Sequence, residues 1–325
     1  MQFGVLQFFS WPGRRIPLPE VYKRAFDRID IMERTGYDAV WLAEHHFSTY
    51  SVCPSIHMMG AHIAARTERL RIGTAVSLAP FYHPLRLAEE IALLDVLSDG
   101  RVNFGAGRGF DAVEYRNFNV TRDMSYPLFR EHVKVVLEAW RNERLTFHGE
   151  HCRFDDVEVL PKPIQKPHPP VWLASSSEDA VVWSAQNGYS ILMDPHSPHA
   201  QIAAKRARYQ HELEAAGFGM EGRVIPMARN IALAQTAEKA REVAYSSAGF
   251  MMGSYLTKSP YASDPAGGDP IARYVADTVI CGTPEMVVDQ LQALAEQLPL
   301  DYLMCTPLSH ESFVLFTEQV MPRFL

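Results

Sequence analysis

Eight short apolar runs, each followed by a longer segment with helical spacing, set the tightest limit on what this chain can fold into. The runs fall at 3–8, 39–43, 70–78, 102–105, 171–174, 190–193, 224–234 and 302–305. Each has the length and β-rich content of a buried strand. Amphipathic segments lie between them at 20–35, 54–66, 84–97, 126–142, 178–186 and 199–216, then from 238 and 284, with a last one over 311–320. In the first of these, Val21, Ala25, Ile29 and Met32 recur at helical spacing and Gly36 stops the run. Strands alternating with helices predict parallel βαβ units. Eight of them without a Gly/Ser or Pro linker favour an α/β chain closed into a (β/α)8 TIM barrel over an open doubly wound sheet. All 325 residues then read as one domain.

Two segments break the alternation. Residues 145–160, "LTFHGEHCRFDDVEVL", alternate around a "HGE" turn like a hairpin. Residues 251–277 are rich in Gly, Pro, Ser and Asp and read as a lid, a binding loop or a disordered insertion. Charge and cysteine usage narrow the function classes. A net charge of -7 supplies no basic stripe for nucleic acid. Cys53, Cys152, Cys281 and Cys305 are scattered, with neither a disulfide framework nor zinc-ligand spacing, which suits a reducing cytoplasm. Neither a membrane span nor a signal peptide is expected.

The residues that carry chemistry gather after strands. "WLAEHHF" at 41–47 places Glu44, His45 and His46 at the carboxyl end of the second strand, the face on which barrel active sites sit. They read either as an acid/base cluster or as solvated loop residues. A metal site is disfavoured because adjacent histidines diverge. "FGAGRGF" at 104–110 is no dinucleotide fingerprint: its glycines fall at 105, 107 and 109, and the following "DAVEYRNF" makes no convincing helix start. It does put Arg108 at the barrel mouth, as a ligand contact or as an ordinary ion pair. "LASSSEDAV" at 173–181 runs Ser175, Ser176 and Ser177 off a strand into a helix. Such serines cap the helix, and the same amides and hydroxyls suit a phosphate. Arg108, one strand away, would complete a phosphate site. His83 stands at an N-cap position with Pro84 as first helical residue. Phe8, Trp11, Phe47, Phe81 and Tyr82 suit an aromatic pocket or simple core packing.

Together with "RIGTAVSLAPFYHPLRLAEEIALLDVLSDGRVNFGAGRG" at 71–109, "PVWLASSSEDAVVWSAQNG" at 170–188, "GTPEMVVDQL" at 282–291 and the closing "FVLFTEQVMPRFL", these motifs resemble bacterial luciferase and the flavin-dependent monooxygenases similar to it, the luciferase α subunit above all. The resemblance implies a (β/α)8 fold and reduced FMN as cosubstrate, supplied by a separate NAD(P)H:flavin reductase. It also implies O2 activation as a flavin hydroperoxide, oxygen transfer to a small organic substrate, and a homodimer. His45 matches the family's catalytic histidine, with Glu44 and His46 beside it. Arg108, Ser176 and Ser177 match positions that hold the FMN phosphate, and Ser175 belongs to the same turn. Ala75 and Val76 match a non-proline cis peptide beneath the flavin ring, and residues 251–277 cover the mobile lid. There are departures: the reactive cysteine of luciferase falls at Gly107, and its acidic phosphate-segment residue at Ser176. A deazaflavin-dependent hydride-transfer oxidoreductase is the second reading. A non-catalytic flavin-binding subunit is the third, disfavoured by the presence of both His45 and Arg108.

Overall fold

A computed structural model describes residues 1–254 and 268–325. In chain order the elements are β1 (Gln2–Gln7), α1 (Leu18–Arg34), β2 (Ala39–Leu42), α2 (Ile56–Ala64), β3 (Arg71–Thr74), β4 (Ser77–Leu78), α3 (Pro84–Leu97), β5 (Val102–Gly107), α4 (Ala112–Asn117) and α5 (Arg122–Arg141). There follow β6 (Leu145–His148), β7 (Arg153–Val157), β8 (Val171–Ala174), α6 (Glu178–Gln186), β9 (Ser190–Leu192), α7 (His199–Ala215), β10 (Pro226–Leu233), α8 (Ala237–Ser254), α9 (Pro270–Thr278), β11 (Val279–Gly282), α10 (Pro284–Gln297), β12 (Tyr302–Pro307) and α11 (His310–Leu315).

The main sheet is parallel in the order β11-β10-β12-β1-β2-β3-β5-β8-β9, with β4 beside β5. It curls. Met193, just past β9, bridges in parallel to Met227 of β10. The Met193 N–H donates to the Pro226 carbonyl at 3.0 Å, and the Ala228 N–H to the Met193 carbonyl at 2.9 Å. Helices cover the outer face, so β1, β2, β5 and β10 are buried almost throughout and read as continuous apolar runs. Inside the curl Trp41 meets Trp172 edge-on at 5.4 Å. Trp41 Nε1 donates to the Tyr302 hydroxyl at 3.0 Å, and that hydroxyl donates to Asp38 at 3.0 Å, so the buried polar tips are satisfied. The interior is thus filled with side chains, and the loops after the parallel strands share one rim.

Several expectations need correction. The run at 70–78 is two strands, β3 and β4, split at Ala75–Val76. The fourth run continues to Gly107, two residues beyond the expected end. Gly105 permits this, since a Cβ there would lie 2.0 Å from the Thr74 carbonyl oxygen. The helix expected at 126 begins a turn earlier, at Arg122, because the Thr121 hydroxyl caps it by accepting from the Met124 N–H; Pro127 lies within it rather than at its start. Strand β11 and helix α9 were not anticipated. The lid-like loop expected over 251–277 is helical at both ends, in α8 and in α9, which Asp269 caps; residues 255–267 lie outside the described residues. The last helix is shorter than 311–320, passing after Leu315 into a π-helical turn, Phe316–Val320. The hairpin expected at 145–160 is β6–β7, whose turn is held by the Glu131 carboxylate accepting from the N–H groups of Glu150, His151 and Cys152. Among the described residues no helix is long and apolar enough to cross a membrane.

Candidate active site

The chain leaves β2 into the rim, and Glu44, His45 and His46 follow at once. Glu44 has no side-chain exposure, so its carboxylate must find partners inside the protein. It accepts from the Leu78 N–H at 3.2 Å, pairs with His46 Nε2 at 2.8 Å and meets the Tyr82 hydroxyl. His45 is nearly as buried. Its ring lies parallel to Phe8 with centroids 6.0 Å apart and meets Tyr50 edge-on at 4.9 Å. Its Nδ1 is 3.5 Å from Glu114 Oε1, and the same oxygen accepts from the His46 N–H at 2.9 Å. The three expected residues therefore come together, with Glu114 as a fourth that sequence reasoning missed. "DAVEYRNF" does start a helix: Asp111 caps α4 by accepting from the Val113 N–H at 2.6 Å. The Asp111–Glu114 spacing of a capping box was the available cue.

Between this cluster and Arg108 lies the segment 75–78. The Ala75–Val76 peptide bond is cis, as the resemblance implied. Ser77 and Leu78 then pair with Ala106 and Gly107. The Val76 side chain fills the space above Gly107, where a Cβ would lie 2.3 Å from Val76 Cγ2. Val76 thus takes the space that a side chain at position 107 would need.

Arg108 follows directly and is half-buried. Its Nη1 donates to the Ser125 hydroxyl at 3.1 Å, and its guanidinium lies 4.1 Å from the centre of the Tyr126 ring. The Tyr126 hydroxyl in turn bonds the Ser177 hydroxyl at 2.9 Å. Ser177 caps α6 by accepting from the Ala180 N–H at 3.3 Å. Lys205 Nζ donates to the Ser176 carbonyl at 2.6 Å and contacts Asp194 Oδ2 at 3.3 Å. Ser175 differs from its neighbours: its N–H goes to the Leu192 carbonyl, and its hydroxyl to the Leu173 carbonyl and to Ser184. It shapes the turn and offers its hydroxyl to the fold. Tyr126 and Lys205 carried no sequence signal, one sitting mid-turn in α5 and the other on a predominantly polar helix.

The rim past β9 and β10 adds a polar wall. His196 Nδ1 meets the Tyr274 hydroxyl at 2.6 Å, and Asn230 Nδ2 donates to that hydroxyl at 3.0 Å. Arg229, fully buried, donates to the Asp194 carbonyl at 3.2 Å. Burial first, then the charges of Arg229 and His45, lowers the His196 pKa to about 4, against the pull of Asp194. Burial works to raise Asp194, yet Lys205, the Ser197 hydroxyl, His196 and Arg229 hold it below the usual carboxylate value.

Comparison with known proteins places the chain in a family. The sequence profile of the luciferase-like monooxygenase family matches residues 1–301. The oxygenase component of flavin-dependent trigonelline monooxygenase from Acinetobacter baylyi is 30% identical over 178 residues, 54% of this chain and 49% of that protein. The chain spans about half the length of the curated relatives it matches. Among solved structures, the monooxygenase RslO1 of Streptomyces bottropensis superposes with a TM-score of 0.88 at 25% identity, covering 100% of both chains. Two others share the fold at 18% identity and TM-score 0.80, each covering 100% of this chain and 99% of its own. One is the oxygenating constituent of 3,6-diketocamphane monooxygenase of Pseudomonas putida in complex with FMN. The other is the coenzyme F420-dependent tetrahydromethanopterin reductase of Methanopyrus kandleri.

Proposed function

Because the chain belongs to the luciferase-like monooxygenase family, we propose that it is the oxygenase half of a two-component flavin monooxygenase, taking reduced FMN from a separate NAD(P)H:flavin reductase and using O2 to oxygenate a small organic substrate. The observation that carries this reading is the continuity of the rim. Leu78, at the end of segment 75–78, donates its N–H to Glu44 and pairs with Gly107, the residue before Arg108, so a proton-handling cluster and an anion site border the same segment. The word "oxygenase component" in the name of the Acinetobacter relative supports a separate reductase. We read the curled sheet as a closed (β/α)8 barrel forming a single domain over 1–325, supported by the Met193–Met227 bridge.

FMN fits the residues present. Arg108 with Ser176, Ser177 and the start of α6 would hold its phosphate, the arginine supplying charge and the helix end its unpaired amides. Ala75 and Val76 would lie under the ring, with Ser175 fixing the phosphate turn. When bound, reduced FMN supplies the electrons that make O2 an oxygen-transfer reagent. The protein's part is to place and move protons. Glu114 lies 3.5 Å from His45 Nδ1, and the His45 ring would give or take a proton at the reacting oxygen. Glu44 fixes the His46 ring, and Phe8 and Tyr50 keep water from His45. Leu93, Val96 and Leu97, exposed at helical spacing on α3, form an apolar patch that fits a second copy in a homodimer. Four free cysteines suit a cytoplasmic setting.

The test is reconstitution with FMN, a flavin reductase, NADH and a panel of aldehydes, ketones and aromatics under labelled O2. One labelled oxygen in a product is the expected result. Hydride transfer from reduced F420 with no oxygen gained would replace this reading with the deazaflavin one.

A further inference from the structure

Beside the Glu44–His46 pair a cavity of about 190 Å3 is lined by Glu44, His46, Phe81, Tyr82, Glu90 and Phe118, among others. It has room for several waters and polar groups to bind them. At its outer side His57 Nδ1 pairs with Glu90 Oε2 at 2.8 Å, and His57 Nε2 with the Ser77 hydroxyl at 2.9 Å. Arg86 Nε reaches the other Glu90 oxygen at 2.7 Å, and Glu90 keeps about a quarter of its side chain exposed. The His57 bond first, then Arg86, hold Glu90 below the usual carboxylate value against burial. At the inner side Tyr82 turns its hydroxyl to Glu44, with its ring 5.2 Å from that of His57. Nothing in the proposed oxygenation uses Tyr82, His57 or Glu90.

We propose that Tyr82 is a proton-relay residue that joins the Glu90–His57 pair at the surface to the Glu44–His46 pair beside His45. The relay rests on the oxygenase reading only for its use, which is to restore the proton count next to His45 between turnovers. In one passage the Tyr82 hydroxyl gives its proton to a Glu44 oxygen as it takes one from a cavity water. Glu44 shares that proton with His46 Nε2, and a buffer acid in the solvent, its proton handed across the partly exposed Glu90 carboxylate, returns to the cavity water the one it lost. One proton moves inward, no electrons move, and the phenol is neutral before and after. That neutrality has a physical cause: burial, and next the Glu44 carboxylate with Glu90 behind it, raise the phenol well above its ordinary pKa. The other titratable neighbour is the Cys53 thiol, which burial and then Glu44 push up to about 12, so it stays protonated too. Glu90 precedes the exposed Leu93 by one turn of α3, so the path opens at the rim of the apolar patch.

The test uses the cofactor-free full chain with nitrogen-labelled histidines. Exchange of the His46 ring proton with water is measured by NMR in wild type and in Tyr82→Phe, which keeps the ring and removes the hydroxyl. The relay predicts exchange slower by about tenfold and recovery of exchange when imidazole is added to the buffer. An unchanged exchange rate overturns the proposal, as does a slowing that imidazole does not relieve. Should Tyr82→Phe disturb the fold, Glu90→Gln interrupts the same path from outside, with slowed exchange expected and an unchanged rate overturning it. The readout needs no turnover, so a failed oxygenation assay would defeat the functional reading and leave this one standing.

Discussion

At the histidine end of the site Glu44 has no exposed side-chain surface and Glu114 has 2%, whereas at the phosphate end Ser176 and Ser177 are exposed and Arg108 leans half-buried on Tyr126. The first group is satisfied by protein partners as the chain folds. Its carboxylates are out of water and bonded to Leu78, His46 and Tyr82, so the arrangement stands whether or not a ligand arrives. The second group trades water for ligand at the moment of binding. Chemistry and affinity should therefore separate under mutation, and each prediction below is a way to break that separation or to sharpen it.

The largest effect is expected at His45. His45→Ala removes the group placed to move a proton and leaves the phosphate end untouched, so oxygenation should fall by roughly 10²–10⁴-fold while FMN affinity changes little. Oxygen taken up should then appear as hydrogen peroxide, read by a peroxide assay beside product analysis. Equal losses in affinity and oxygenation would show that the two ends act as one unit.

Arg108 is the converse case. Arg108→Ala should weaken FMN by about 1.5–3 kcal/mol, the usual worth of a hydrogen bond to a charged group, and leave riboflavin, which has no phosphate, nearly unchanged. Titration calorimetry with both ligands decides it. Equal weakening of both would move Arg108 from the ligand to the fold, through its bond to Ser125 and its stacking on Tyr126.

The buried end should also show in stability against pH. His196 and His199 both have pKa values lowered by burial to about 4 from an unfolded value near 6.5. Below 6.5 the unfolded chain binds protons there that the folded chain refuses until about pH 4. Stability contributed by the neutral rings is therefore present above 6.5 and lost as pH falls toward 4, on the order of 3 kcal/mol for each. Thermal midpoints measured across that window should drop, and His196→Gln should flatten part of the slope. A wild-type profile that is level from 6.5 to 4 would mean that water reaches these rings.

How much of this could be read from residues alone follows the same division. Strands that are apolar on both faces announce themselves, and "EHH" after β2 and "SSS" after β8 sit where chain direction puts functional loops. The missed parts are short or depend on shape. Helix α4 is six residues long, so periodicity could not reveal it, and with it went Glu114. The 70–78 run looked continuous because a cis bond at Ala75–Val76 leaves no mark in apolar composition. Ser175 and Ser177 are the same residue type two positions apart, yet one hydroxyl faces inward to Ser184 and the other outward to Tyr126, a difference made by packing alone. Strand β11, only four residues, adds to β10 beyond the part that pairs with Met193, a place no alternation rule marks.

The smallest effect is expected where the two principles meet, at Tyr126. Its ring is a platform for Arg108 and its hydroxyl bonds Ser177, so two contributions can be separated by two variants. Tyr126→Phe keeps the platform and loses one half-exposed hydrogen bond, which in water is worth about 0.5–1.5 kcal/mol at most. A phosphate that itself bonds the Ser177 hydroxyl would take the place of that bond, so the hydroxyl is lost from the free chain as much as from the complex. The net change in FMN affinity should then be within a few-fold. Tyr126→Ala also removes the ring face under the guanidinium, about 0.5–1 kcal/mol at an exposed site, and frees the Arg108 side chain to wander, so its effect should exceed that of Tyr126→Phe and approach part of that of Arg108→Ala. Affinities for FMN in the three variants, measured under one set of conditions, give the order. If Tyr126→Phe weakened FMN as much as Arg108→Ala, the Tyr126–Ser177 bond would be holding the phosphate turn in shape, and the exposed end would prove as preorganised as the buried one.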